Sequence, residues 1–146
     1  MNFIQEIKNA WSWIGIEPIS VVGENDFGNL MIEDSAGRYW RLCPEDVYCE
    51  VVATTREELD KLSSNQEFLN DWYMESLVDQ AKENLGPLDE GYKYHLVIPG
   101  ALGGAYDISN IAKAPLLELI RFSGDIARQI KDLPDGATNI ELKVVD

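Results

Sequence analysis

ISVVGENDFGNLMIEDSAGRYWRLCPEDVYCEVVA, residues 19–53, decides the fold. It holds four short apolar or β-branched runs, Ile19–Val22, Asn29–Glu33, Arg38–Leu42 and Val47–Ala53. Polar residues with Gly or Pro part them: Glu24–Asn25–Asp26, then Asp34–Ser35–Ala36–Gly37, then Pro44–Glu45–Asp46. Turn formers recurring between β-prone runs are the pattern of consecutive hairpins, so the stretch predicts a meander of four antiparallel strands.

Upstream, residues 2–14 place Phe3, Ile4, Ile7, Ala10, Trp11 and Ile14 at helical spacing, with Gly15 as the stop. Trp11 reads as core. Downstream, Tyr92–Ile98 alternates as a strand, with Tyr92, Tyr94, Leu96 and Ile98 on one face. Pro115 suits the first turn of a helix to about Lys131, whose stripe is Leu116, Leu119, Ile120, Ala127 and Ile130. Gly124 inside it predicts close backbone packing against a neighbour. Leu133–Gly136 is a turn, and Ile140, Leu142 and Val144 alternate as a closing strand. The order predicts an α+β fold in one domain over 1–146: a mostly antiparallel sheet built from the meander plus two later strands, with helices packed against it.

Between the strands lies a helical stretch. Thr55 with Glu58, and Ser64 with Glu67, are spaced as capping boxes, predicting a short helix to about Leu62 and a long one ending before Gly86–Pro87. On the long helix Glu67, Asp71, Glu75, Asp79 and Glu83 recur every four residues. Like charges so placed repel by a few tenths of a kcal/mol per pair, about 1–2 kcal/mol for the ladder. Such a face is either a solvated surface or a site for a charged partner. Phe68 and Val78 project onto the acidic side, while Leu69, Trp72, Tyr73, Leu77 and Ala81 point mostly the other way. An apolar anchor ringed by charge suits a binding hot spot, and equally a helix buried on more than one side. Neutralising Asp71, Glu75 and Asp79 is expected to leave the fold intact and slightly strengthened.

With 26 acidic and 12 basic residues the chain carries a formal charge of −14. Residues 45–90 hold 13 of the acids against Arg56, Lys61 and Lys82, a local balance of −10. Such a field repels nucleic acid and anionic membranes and attracts basic surfaces. The N-terminal residues lack a secretory pattern and no run approaches a membrane span, so a cytoplasmic location is expected. Cys43 and Cys49 are the two cysteines and read as thiols, without the further ligands of a zinc site. At 146 residues the core needs no cofactor, metal or disulfide to hold it.

Catalytic chemistry finds few supports. His95 is the one histidine and sits mid-strand. No Gly-x-Ser-x-Gly elbow occurs, and Ser123–Gly124 falls inside a helix. Gly100, Gly103 and Gly104 match neither a Walker loop nor a dinucleotide fingerprint. Asp107, Ser109 and Asn110 read as turn formers. No catalytic, cofactor-binding or metal-ligating residue is assigned.

Several strings together resemble a known family. Gly37–Glu45 (GRYWRLCPE), Asp71–Trp72–Tyr73, Leu85–Gly91 (LGPLDEG), Ile98–Pro99 through Leu102–Gly103–Gly104, and Glu118–Gly124 with Ile130–Gly136 are similar to the C-terminal domain family of Tdi-type type VI secretion immunity proteins, over about residues 1–140. The resemblance implies an antitoxin that binds a co-encoded effector delivered between bacteria and blocks it. It transfers no catalytic residue. With the charge pattern it leads to the expectation of a non-enzymatic inhibitor of a basic, nucleic-acid- or nucleotide-directed toxin, with Glu67, Phe68, Asp71, Glu75, Asp79 and Glu83 facing that partner. The alternatives are a small-molecule-binding domain or enzyme with a pocket near His95, Tyr106 and Asp107, and an interaction module unrelated to toxins.

Overall fold

The computed structural model describes residues 3–131. Helix α1, Phe3–Trp11, continues as a single 3-10 turn to Ile14 and stops at Gly15, whose φ of 91° suits glycine. Strands β1 (Pro18–Glu24), β2 (Leu30–Asp34), β3 (Tyr39–Cys43) and β4 (Tyr48–Ala53) form the expected meander, antiparallel in the order β1-β2-β3-β4. Val47 was expected to open β4. Its φ of 57° is a turn conformation, and its N–H bonds the Pro44 carbonyl at 3.2 Å, so the strand starts one residue later.

Both faces of this sheet are covered. Leu30 and Ile32 of β2 and Trp40 and Leu42 of β3 share one cluster with Ile7 and Trp11 of α1 and with Leu116, Ile120 and Ile126 of α5 (Leu116–Ile130). The alternate residues Met31 and Tyr39 point to the other face, where they meet Leu59 of α2 (Arg56–Leu62) and Trp72 of α3 (Gln66–Tyr73). Burial on both sides explains why every residue of β3 is buried. A third cluster sits beside these: α4 (Glu75–Leu85) lays Val78 and Ala81 against Tyr94 and Leu96 of β5 (Tyr92–Leu96) and Ile111 of β6 (Ile111–Pro115).

The α+β architecture is the expected one, with two differences in detail. β5 pairs antiparallel with β6 as a separate two-stranded sheet, and the sequence reading had placed no strand at Ile111–Pro115. The expected turn at Leu133–Gly136 and closing strand of Ile140, Leu142 and Val144 lie outside the described residues. Gly124 behaves as its position implied: a Cβ there would lie 2.5 Å from the Ala10 carbonyl oxygen, so the two helix backbones touch. Arg121 closes the same pair with two hydrogen bonds to Glu6, at 2.8 and 2.7 Å.

The long acidic helix is two helices. Met74 takes a left-handed conformation, φ 46° and ψ 47°, and separates α3 from α4. The cause is packing. Trp72 belongs to the cluster under the four-stranded sheet and Val78 to the cluster on the β5–β6 pair, and no straight helix serves both. At the start of α3 the cap is Asn65, whose side chain accepts from the Phe68 N–H at 3.0 Å, in place of the expected Ser64. Thr55 caps α2 as expected, accepting from the Glu58 N–H at 3.1 Å.

Candidate functional site

A buried polar network fixes the acidic face. Arg41 is a charged residue in the middle of β3, and it lies opposite Met31 on the face that α3 covers. Its Nε donates to Asn29 Oδ1 at 2.9 Å and its Nη1 to Asp71 at 2.5 Å. The guanidinium lies over the Trp72 ring at 5.1 Å and the Phe68 ring at 6.0 Å, a cation–π cradle. Asn29 in turn donates its amide to both carboxylate oxygens of Glu45, at 2.9 and 2.8 Å. Asn25 folds its own loop, accepting from the Phe27 and Asn29 N–H groups, and donates to the Trp72 carbonyl at 2.6 Å. Two hairpin loops and the end of α3 are thereby locked together.

The electrostatics follow from burial. Burial works against the Arg41 charge, but the hydrogen bond it donates to Asp71, together with the nearby Tyr48, Cys43 and Asp71 charges, outweighs burial, so its pKa rises. Glu45 is pushed above the usual carboxylate range, first by burial, although Cys43 and Asn29 hydrogen-bond to it. Burial, reinforced by that carboxylate, pushes the Cys43 thiol far up, and burial does the same to Cys49. Both cysteines are therefore inert thiols rather than nucleophiles.

The five ladder carboxylates are exposed, but they do not make one row. Glu67 and Asp71 belong to α3, and Glu75, Asp79 and Glu83 to α4. Asp71 is committed to the buried Arg41, so neutralising it strands that charge as well as relieving the ladder's repulsion. Phe68 is half-buried and stacked on Trp72, with ring centroids 6.0 Å apart, and Val78 is core. Neither is a free anchor. At the elbow between the helices, instead, an open groove of about 540 Å³ is lined by Leu69, Tyr73, Met74 and Leu77 together with Asn70 and Glu75. Tyr73, expected to point away from the acidic side, is 53% exposed there.

The region of His95 is built differently. His95, Glu45, Pro99 and Phe122 line a cavity of about 10 Å³, the space of about one water. Burial first, opposed by the Leu96 carbonyl and by Glu118, lowers the His95 pKa. Asp107 caps a short turn by accepting from the Ser109 N–H at 3.0 Å, and the Tyr106 hydroxyl faces Asp46. Neither Tyr106 nor Asp107 lines the small cavity at His95. Among the described residues, no group of three or more His, Cys, Asp and Glu could hold a metal ion. No helix among them is long and apolar enough to cross a membrane.

Sequence reasoning missed the Arg41 network and the elbow. A signal for the first was present: an arginine between Trp40 and Leu42 in a strand with turns on both sides needs a buried partner. Nothing local marked the second, because Met74 is an ordinary helix former.

Fold and site define an acidic α+β protein with a broken helix pair whose exposed carboxylates belong to α3 and α4. The family model described as "T6SS immunity protein Tdi1, C-terminal" matches residues 53–127, a little over half of the chain, and the chain belongs to that family. It is thus placed among type VI secretion immunity proteins, a class whose role implies binding a cognate effector. The matched segment runs from the last residue of β4 into α5 and contains both acidic helices. No curated protein matches the chain.

Proposed function

We propose that the chain, acting as one domain over residues 1–146, is a non-enzymatic cytoplasmic inhibitor that binds its cognate effector through the outer faces of α3 and α4 and occludes the effector's active site. One observation carries the reading. Half of the chain's acidic residues, 13 of 26, fall in residues 45–90, and five of the exposed carboxylates among them, Glu67, Asp71, Glu75, Asp79 and Glu83, sit on two helices inside the family-matched segment. An acidic surface of this kind replaces an anionic substrate in a basic cleft, which fits a nucleic-acid- or nucleotide-directed toxin. Opposite charge speeds encounter, and buried apolar contacts slow release. Glu67, Glu75, Asp79 and Glu83 serve the first purpose. Asp71 holds α3 in place, and Phe68 supports Trp72 and Arg41 from the side.

The test is stopped-flow association with the cognate effector across a salt series. A quadruple variant, Glu67→Gln, Glu75→Gln, Asp79→Asn and Glu83→Gln, spares Asp71 and so keeps the fold. Its association rate at low salt is expected to fall by about 10-fold or more, and its salt dependence to flatten. Rates and slopes equal to the parent's would move the binding surface elsewhere.

A further inference from the structure

The elbow groove combines features that the charged faces alone do not have. Met74, a bulky residue, is held left-handed, a conformation unfavourable to a residue with a side chain. The two clusters on either side keep it there, so the gap between α3 and α4 is preformed. Its lining is apolar at Leu69, Met74 and Leu77, and Tyr73, which also lines it, is more than half exposed. Across Gln66–Leu85 there are five acids and a single base, Lys82, which lies 4.0 Å from Asp26. An occupant must therefore bring an apolar side chain and tolerate, or use, the Glu75 carboxylate in the lining and the acidic helices around it.

We propose that this groove is the anchor site for the effector: it receives an apolar side chain from a segment flanked by Lys or Arg. The inference rests on the immunity reading above and adds the residues that determine residence time. Charge complementarity selects the occupant. A second copy of this chain brings the same acidic helices and is repelled, and an anionic metabolite is repelled likewise. A basic protein segment gains on both counts. Tyrosine is well suited to such a place, since it offers a large rigid contact area and is enriched among binding hot spots.

The experiment measures dissociation of the complex with a catalytically inactive form of the effector that co-purifies with the chain. Tyr73→Ala empties one wall and Asn70→Trp fills the opening; both positions are exposed, so folding is checked simply by an unchanged melting temperature. Each variant is expected to dissociate about tenfold faster, with association little changed. Parental dissociation rates in both variants overturn the anchor site. The immunity reading survives that result if the quadruple charge variant still slows association. If the chain neither binds nor neutralises the effector, both fall together. Self-association of the free chain that Tyr73→Ala abolishes overturns the proposal in favour of a homodimer.

Discussion

At the scale of single residues, the structure separates carboxylates that the sequence made look alike. Asp71→Asn removes the charge that faces Arg41, whose side chain is 5% exposed, while Asp71 itself is 69% exposed. Solvent screens the pair, so the expected loss is about 1–2 kcal/mol rather than the several of a fully buried one. Glu75→Gln, which has no such partner to strand, should stay within about 0.5 kcal/mol of the parent. Urea unfolding of the two variants checks the contrast. Glu45 has a pH signature. Its folded pKa lies above the unfolded value, about 4.3, so the unfolded chain gives up this proton first as pH rises. The group therefore costs stability as pH climbs from that value through the raised folded pKa. Glu45→Gln cannot ionise. The stability of that variant minus that of the parent should grow over this window and then level off, as urea midpoints from pH 4 to 8 would show.

Elements were legible where one face decides them, and illegible where two cores compete. Hairpin punctuation places β1–β4, and the helical stripe places α5, because each signal is local. The α3–α4 break follows from which cluster claims Trp72 and which claims Val78, and that is a tertiary fact. β6 was missed because Asp107, Ser109 and Asn110 do read as a turn, and its five residues, Ile111–Pro115, are a strand by pairing with β5. Gly124 shows a local oddity that was legible. Gly→Ala in a helix normally gains about 1 kcal/mol. Here the new methyl would meet the Ala10 carbonyl, and forcing α1 off α5 should cost about 1–3 kcal/mol, reversing the sign in a thermal melt. The loop after β5 repeats the lesson with two neighbours. Gly103 has open space but a φ of 89°, so Gly103→Ala should cost about 1 kcal/mol. A Cβ on Gly104 would fall 1.7 Å from the Ile98 carbonyl, which also accepts from Asn110, so Gly104→Ala should be the more damaging of the pair in the same melts.

Across the whole molecule, charge and packing are divided between sides. The α1–α5 pair sits on one face of the main sheet, and the family-matched acidic helices lie on the other face and beyond it. Raising salt should therefore slow effector capture while leaving the α1–α5 clasp largely untouched, apart from the exposed Glu6–Arg121 pair. The acidic excess was countable from the sequence, but the groove beside it was not, since its walls come from the ends of two helices that read as one. The α1–α5 clasp has a further consequence in the order of synthesis. Arg121 and Glu6 are 115 residues apart in the chain. As the chain is made, α1 appears well before α5, and its Ile7 and Trp11 have no α5 to lie against until the strands and helices between them have been translated. The four-stranded meander can pair early through short-range contacts, whereas closing the clasp is a late, long-range step. A nascent chain halted before residue 116 would display that apolar helix face, and would be the species that a chaperone or a protease meets.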